Sequence, residues 1–367
     1  MDGHACFSAD YRSARARFRA SASARGLRLE AHPIGDRGDL TIDVAAAGDV
    51  DAGRLVIVSC GLHGVEGYLG SAIQAALLED DPANWPLPAG VGLVLLHALD
   101  PFGFAETRRS DGENVDLNRN FLLDGEPYAG CPPKYRALDR LLNPRRPPGR
   151  LDLFAFESIV AIARHGRAEL KRAIAGGQYE FPRGLFFGGH GPSPTRRLIE
   201  RHLPRWVGRA GRVIHLDVHT GLGPRGGLTL LLDEDVPADQ ARAIAARFAP
   251  DRVEWSGEGI AYPTRGGLGP WCRTRLEGRS YEYLCAEFGT DPGAEVLAAI
   301  RAENRAHHWG VPGSASTARA KAGLREAFAP ADHGWRDATV ARGLAAIRRA
   351  FEAVLAPSPR GPRTGGP

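Results

Sequence analysis

Short runs rich in Val, Leu and Ile alternate along the chain with longer stretches whose apolar residues recur every three or four positions. The runs at 40–45, 54–60 (RLVIVSC), 91–97 (VGLVLLH), 212–218 (RVIHLDV), 228–232 (LTLLL) and 282–288 (EYLCAEF) predict strands. The stretches at 66–80, 152–175, 195–206, 236–248 and 293–308 predict helices, as does VARGLAAIRRAFEAVL at 340–355. Strands and helices in this alternation imply an α/β fold. The nearly continuous apolar character of the strands implies a mostly parallel, mixed sheet with helices on both faces. In such sheets ligands collect outside the carboxyl ends of the strands, which is where chemistry is sought.

The chain has 367 residues, of which 43% are hydrophobic and 25% charged, the balance of an ordinary soluble globular enzyme. Its formal charge is +4, but only Lys134, Lys171 and Lys321 are lysines and no block of like charges appears, so no nucleic-acid partner is expected. The five cysteines form no C-x-x-C pair, which argues against a disulfide framework and a cysteine zinc knuckle and makes a reducing cytoplasm the expected compartment. No apolar run approaches the ~18 residues needed to span a bilayer, and the first 30 residues lack the hydrophobic stretch of a secretory signal. The Arg-rich, Ser-rich opening is expected to form a helix over about 8–25. Residues 1–310 are expected to form one catalytic domain and 311–356 a helical extension, while the Pro- and Gly-rich 357–367 cannot form a core.

Four polar clusters stand at or near strand ends. SCGLHGVEG follows the strand at 54–60 and sets His63 three residues before Glu66; the others are VDLNRNF (115–121), HLDVHTGLG (215–223) and CAEFGT (285–290). The His63–Glu66 pair alone carries the false-positive risk of any short motif. A catalytic zinc takes about three nitrogen or oxygen ligands and keeps one open position, and His63, Glu66 and the distant His219 would supply such a set. Glu287, at another strand end, could then take a proton from water, the division of labour found in metal-assisted amide hydrolysis.

HGVE, DLNRNF, DVHT and AEFGT, in this order, resemble the signatures of the zinc carboxypeptidase family and its acyl-amino-acid relatives, the succinylglutamate desuccinylase and aspartoacylase group. The likeness spans roughly 54–310 and is greatest to an uncharacterised bacterial branch of unknown function. It implies a carboxypeptidase-like domain with one zinc ion on His63, Glu66 and His219, and Glu287 as general base and acid. It implies that Asn118 and Arg119 grip a substrate carboxylate, for which a planar guanidinium offers a two-pronged match. Asp116 would orient the first zinc histidine. Of the pair Arg108 and Arg109, Arg109 is taken as the cation that stabilises a developing oxyanion. The implied partner is a small peptide or acyl amino acid bearing a carboxylate. The implied activity is metallocarboxypeptidase-like; the alternatives are an N-acyl amino acid deacylase and a zinc-dependent peptide-binding module without turnover.

Other features are set aside. GLGPRG (221–226) matches a dinucleotide fingerprint but leads into a strand rather than a helix, so NAD is rejected. His190 and the Gly-rich 262–274 are read as turns, and Cys60 and Cys285 as core residues. The family's substrate-side tyrosine has three candidates here, Tyr262, Tyr281 and Tyr283.

Overall fold

The computed structural model describes residues 2–356 apart from 36, 49–52, 86, 150–151, 153, 234–235 and 256–263, so Tyr262 and the expected 357–367 tail lie outside the described residues. Its centre is one eight-stranded sheet: β1 (Arg28–Ile34), β2 (Arg37–Ala47), β3 (Arg54–Cys60), β4 (Val91–His97), β5 (Arg212–Arg225), β6 (Leu228–Leu231), β7 (Arg252–Glu254) and β8 (Ser280–Gly289). The spatial order is β1-β2-β4-β3-β5-β8-β6-β7. The central pairings, β4 with β3, β3 with β5 and β5 with β8, are parallel. Pairing turns antiparallel at β2–β4, β1–β2 and β6–β8.

The central strands are apolar at almost every position because both faces are covered, and their period of two divides the core. Val56, Val58, Cys60, Ile214, Leu216 and Val218 face one cluster, which also holds Phe18, Ile73, Ile347 and Val354. Leu55, Ile57, Val94, Leu96 and Val213 face the other, with Leu203, Trp206 and Trp271. The helices Tyr11–Ala24, Gly67–Glu79 and His333–Leu355 supply the first cluster; Pro194–Val207 and Leu268–Arg275 supply the second.

The 311–356 segment folds as the helices Ala315–Phe328 and His333–Leu355, and the latter buries Ala346, Ile347, Ala350 and Val354 in the same core as the sheet. The N-terminal helix starts where Asp10 accepts the Ser13 N–H while Ser13 Oγ lies 3.1 Å from the Asp10 amide, a reciprocal cap. The stretch expected as one helix over 152–175 is two, Phe154–His165 and Arg167–Ala175, broken at Gly166 with its φ of 77°. The edge strands β1 and β7 are absent from the sequence reading because neither carries a continuous apolar run; β1 has only exposed and half-buried residues. No described helix is long and apolar enough to cross a membrane.

Within the first core layer His97 is fully buried, stacked on Phe18 with ring centroids 4.7 Å apart; its Nε2 lies 3.0 Å from Ser71 Oγ, and its Nδ1 has no partner. Burial pushes this imidazole down from the usual 6.5 to about 4. Above pH 6.5 both folded and unfolded forms are neutral. As pH falls towards 4 the unfolded chain gains a proton that the folded chain refuses, so stability drops, by up to ~3 kcal/mol. His97→Phe should therefore flatten the fall of Tm between pH 6.5 and 4 relative to the parent; an unchanged slope would clear His97 of this role.

Candidate metal centre

The parallel register assembles the site. On the second face of the sheet β5 presents His215, Asp217 and His219, and β8 presents Tyr283, Cys285 and Glu287 as their direct neighbours: His215 beside Tyr283, Asp217 beside Cys285, His219 beside Glu287. Ser59 of β3 pairs with Asp217 from the other side. Beyond β3 the chain turns at Gly61, whose φ of 66° suits glycine, and enters a short 3-10 turn, Gly64–Glu66. A Cβ on Gly64 would lie 2.1 Å from the Gly103 carbonyl carbon, so only glycine admits this approach. Val65 N–H donates to the Arg108 carbonyl at 2.8 Å and Gly64 N–H to that of Arg109 at 3.3 Å, which docks the His63 turn against the Arg108–Arg109 loop.

His63, Glu66 and His219 converge, all buried. His63 Nδ1 lies 2.9 Å from Glu66 Oε1, and His219 Nδ1 lies 2.9 Å from Glu66 Oε2. The far nitrogens are held by carboxylates: His63 Nε2 is 3.0 Å from Asp116 Oδ1, and His219 Nε2 is 2.7 Å from Asp217 Oδ2. Asp116, the residue expected to orient His63, is thus in contact with it. Asp217 does the same for His219 and was missed, although D-x-H on a strand puts both side chains on one face by the period of two. Behind Asp217 a buried network continues: Ser59 Oγ donates to Asp217 Oδ1 at 2.6 Å and Tyr283 OH to Oδ2 at 2.8 Å, while Tyr281 OH lies 2.7 Å from His215 Nδ1.

The two arginines part company. Arg108 runs to the Gly293–Trp309 helix, where its Nε donates to Glu303 Oε1 at 3.0 Å. Arg109 enters the cluster: Nε donates to Asp116 Oδ2 at 3.0 Å, Nη1 to Glu66 Oε1 at 3.3 Å, and Nη2 lies 2.8 Å from His63 Nε2. His63 Nε2 therefore faces an acceptor and a donor, while its Nδ1 faces the Glu66 carboxylate, so the tautomer with its proton on Nδ1 satisfies the Glu66 and Arg109 contacts. A cation at Nδ1 would select the form with its proton on Nε2, shared with Asp116.

Charge follows this geometry. Burial would raise the Glu66 carboxyl, but His63 and His219 outweigh it and hold the group well below the usual carboxylate range. Asp217, raised by burial and lowered more strongly by His219, sits at about 2. Glu287 goes the other way: burial first, then the Glu66 charge, push it up to about 7, against His219 and the Leu222 N–H that donates to its Oε1 at 2.9 Å. A carboxyl poised there beside an acidic neighbour suits proton transfer near neutrality. Glu287 is 5% exposed, and with His219 and Cys285 it offers polar atoms within 4.8 Å of one another.

His63, Glu66, Arg109, His219 and Glu287 border one cavity of about 720 Å³, which Asn118 and Arg119 also line. Asn118 Oδ1 accepts the Leu268 N–H at 3.1 Å. Arg119 is held in place by main-chain carbonyls, with Nε and Nη2 donating to Ala175 and Nη1 to Asn118. Cys285 packs against the second core cluster, as expected, and also lines the cavity, as do Gly267 and Gly269 from the segment read as a turn. Tyr283 lines it too, with its hydroxyl committed to Asp217. His190 is exposed against Phe187 and does not line it.

The model of one family, described as a protein of unknown function (DUF2817), matches residues 7–342. The chain belongs to that family. No curated protein matches it in sequence. Among solved structures the chain is similar to bovine thrombin-activatable fibrinolysis inhibitor in complex with tick carboxypeptidase inhibitor, at 10% identity and a TM-score of 0.54 over 95% of this chain and 97% of that one. A further structure of thrombin-activatable fibrinolysis inhibitor gives 10% identity, a TM-score of 0.52 and 95% and 74% coverage. Carboxypeptidase A from Helicoverpa armigera aligns at 13% identity over 86% and 74%, with a TM-score of 0.46. The shared feature is the fold, which is carboxypeptidase-like.

The carboxylates behind the two imidazoles can be tested directly. Asp217→Asn keeps the shape but removes the charge on His219 Nε2, so the affinity of this centre for Zn²⁺, read by competition with a chromogenic chelator, is expected to fall by about 10- to 100-fold. Undiminished affinity would mean that His219 is not a ligand.

Proposed function

We propose that the protein is a zinc-dependent hydrolase that cleaves an amide bond next to a free carboxylate, in a short peptide or an N-acylated amino acid. The observation that carries this reading is the convergence of His63 Nδ1, Glu66 and His219 Nδ1, each imidazole braced from behind by a carboxylate, with Glu287 beside them in one cavity. The donor set fits zinc: two neutral imidazoles and one carboxylate, the ligand types of catalytic rather than cysteine-rich structural sites. When bound, the ion supplies Lewis acidity, polarising a carbonyl and lowering the pKa of water.

Glu287 accepts the proton of the attacking water and returns it to the departing nitrogen, a role its elevated proton affinity and its place near His219 both support. Arg109, already anchored on Asp116 and Glu66, provides a preorganised cation for the oxygen on which charge develops. Asn118 and Arg119 hold the carboxylate of the substrate; the carbonyls that position Arg119 fix the plane of its fork before anything binds. The carboxypeptidase-like fold agrees with this division of labour and does not decide between peptide and acyl amino acid.

Three variants test the roles separately. His63→Ala is expected to lose stoichiometric zinc, measured by metal analysis, while keeping its fold, because a core of this size does not depend on one ion. Glu287→Gln should retain zinc while turnover drops by roughly 10²–10⁴; parental activity in this variant would remove the base and leave a metal-dependent binding module. Arg119→Lys keeps the charge but loses the planar fork, so its main effect should be a raised KM for carboxylate substrates and little change for their amidated analogues.

A further inference from the structure

The cavity has two chemically different halves. One holds the metal-ligand candidates, Arg109, Glu287 and Asn118. The other is walled by the helices Pro133–Leu142, Phe154–His165, Arg167–Ala175 and Gly293–Trp309, through residues such as Leu141, Phe154, Ile162, Leu170, Val296 and Ile300. Among the described residues of these four helices that line it, Ser158 is the single polar side chain. Past their end turns the helical backbones satisfy their own hydrogen bonds, so this wall offers a polar guest little beyond Ser158 and the first turn of the Gly293–Trp309 helix, where Gly293 and Ala294 line the cavity. A peptide continuing into it would bury amide N–H and C=O groups at every residue without partners, a cost that a hydrocarbon chain does not incur.

Phe186 belongs to the same apolar cluster as Leu170, Val296 and Ile300 and also lies beside the polar centre. It has a φ of 55°, a backbone conformation that a bulky residue rarely adopts and that the surrounding fold must hold in place. Its ring lies 5.4 Å from the Arg109 guanidinium carbon and 6.0 Å from that of Arg119. Strain at this point serves to place an apolar ring directly beside the polar centre. The Phe154–His165 helix is apolar on its outer side as well, with Phe156 and Ile159 about two-thirds exposed at 65% and 66%, as suits a protein that handles amphiphilic molecules.

We infer that the apolar half holds the hydrocarbon chain of a long-chain N-acyl amino acid, with the amide at the polar centre and the amino-acid carboxylate towards Asn118 and Arg119. This rests on the hydrolase reading above and selects the acyl amino acid over the peptide. In the reaction the oxygen of water joins the acyl carbon, the C–N bond breaks and a proton passes to the amine nitrogen, so that a fatty acid and a free amino acid leave.

The test has two readouts on the full chain. Turnover by the zinc-loaded parent is measured for N-acetyl-, N-hexanoyl- and N-decanoyl-phenylalanine and for the dipeptide Ala-Phe. Binding is measured independently of chemistry with Glu287→Gln, by displacement of 11-(dansylamino)undecanoate with the same three acyl amino acids. Each added methylene is expected to raise both kcat/KM and affinity about three- to fourfold until the cavity is filled. Ala161→Trp, at a half-buried lining position, should move the chain-length optimum to shorter acyl groups, and Leu138→Gln should weaken decanoyl binding most. Length-dependent binding without turnover of any substrate would strike down the hydrolase and uphold the chain site. Affinity that does not change from acetyl to decanoyl, or acetyl or dipeptide substrates cleaved as well as the decanoyl one, would overturn the inference and leave the hydrolase standing.

Discussion

A carboxylate with almost no access to water sits at the hub of this protein. Glu66 is 1% exposed, and an ionised carboxyl there is tolerable only if its oxygens are met by donors or cations. They are met from three separate parts of the chain: His63 in its own turn, His219 and the Thr220 N–H on β5, and Arg109 in the loop after the helix Pro101–Ala105. The nitrogen groups this gathers are in turn met by Asp116 and Asp217. Nitrogen groups and carboxylates alternate, and removal of one member leaves a buried neighbour without its partner.

That network explains why the sheet is arranged as it is. Parallel pairing of β3, β5 and β8 puts their carboxyl ends at one edge, where the chain can turn away and leave side chains facing a common space. A slip of one residue between β5 and β8 would turn either His219 or Glu287 into the opposite core layer, because neighbouring positions on a strand face opposite ways. The hydrophobic halves of those same strands, Ile214, Leu216 and Val218 against Leu284, Ala286 and Phe288, fix the register from behind. Packing on one face thus sets the distances on the other.

The helices that wall the cavity do a different kind of work. They contribute no charged group to the metal-ligand candidates, and they present almost only apolar side chains to one side of a charged centre. Burial first, and then the Glu66 charge, keep the proton affinity of Glu287 high.

Much of this was legible in the chain itself. Apolar runs specify β3 and β4 residue for residue, because strands buried on both faces carry few polar positions to blur their ends. The polar clusters at and near the ends of the apolar strands named His63, Glu66, Asp116, His219 and Glu287, which the fold brings together. Local pattern could not find β1 and β7, whose exposed edges carry little hydrophobic signal, nor the break at Gly166 within an unbroken apolar periodicity. Long-range contacts decided the rest. Arg108 and Arg109 are indistinguishable as neighbours in a loop, and only the packing of that loop against the His63 turn sends one to Glu303 and the other to Asp116. Cys285 reads as a core residue, and only the passage of β8 along the cavity shows that it borders that space too, while the apolar wall itself is built from helices far apart in sequence whose inward faces meet only in three dimensions.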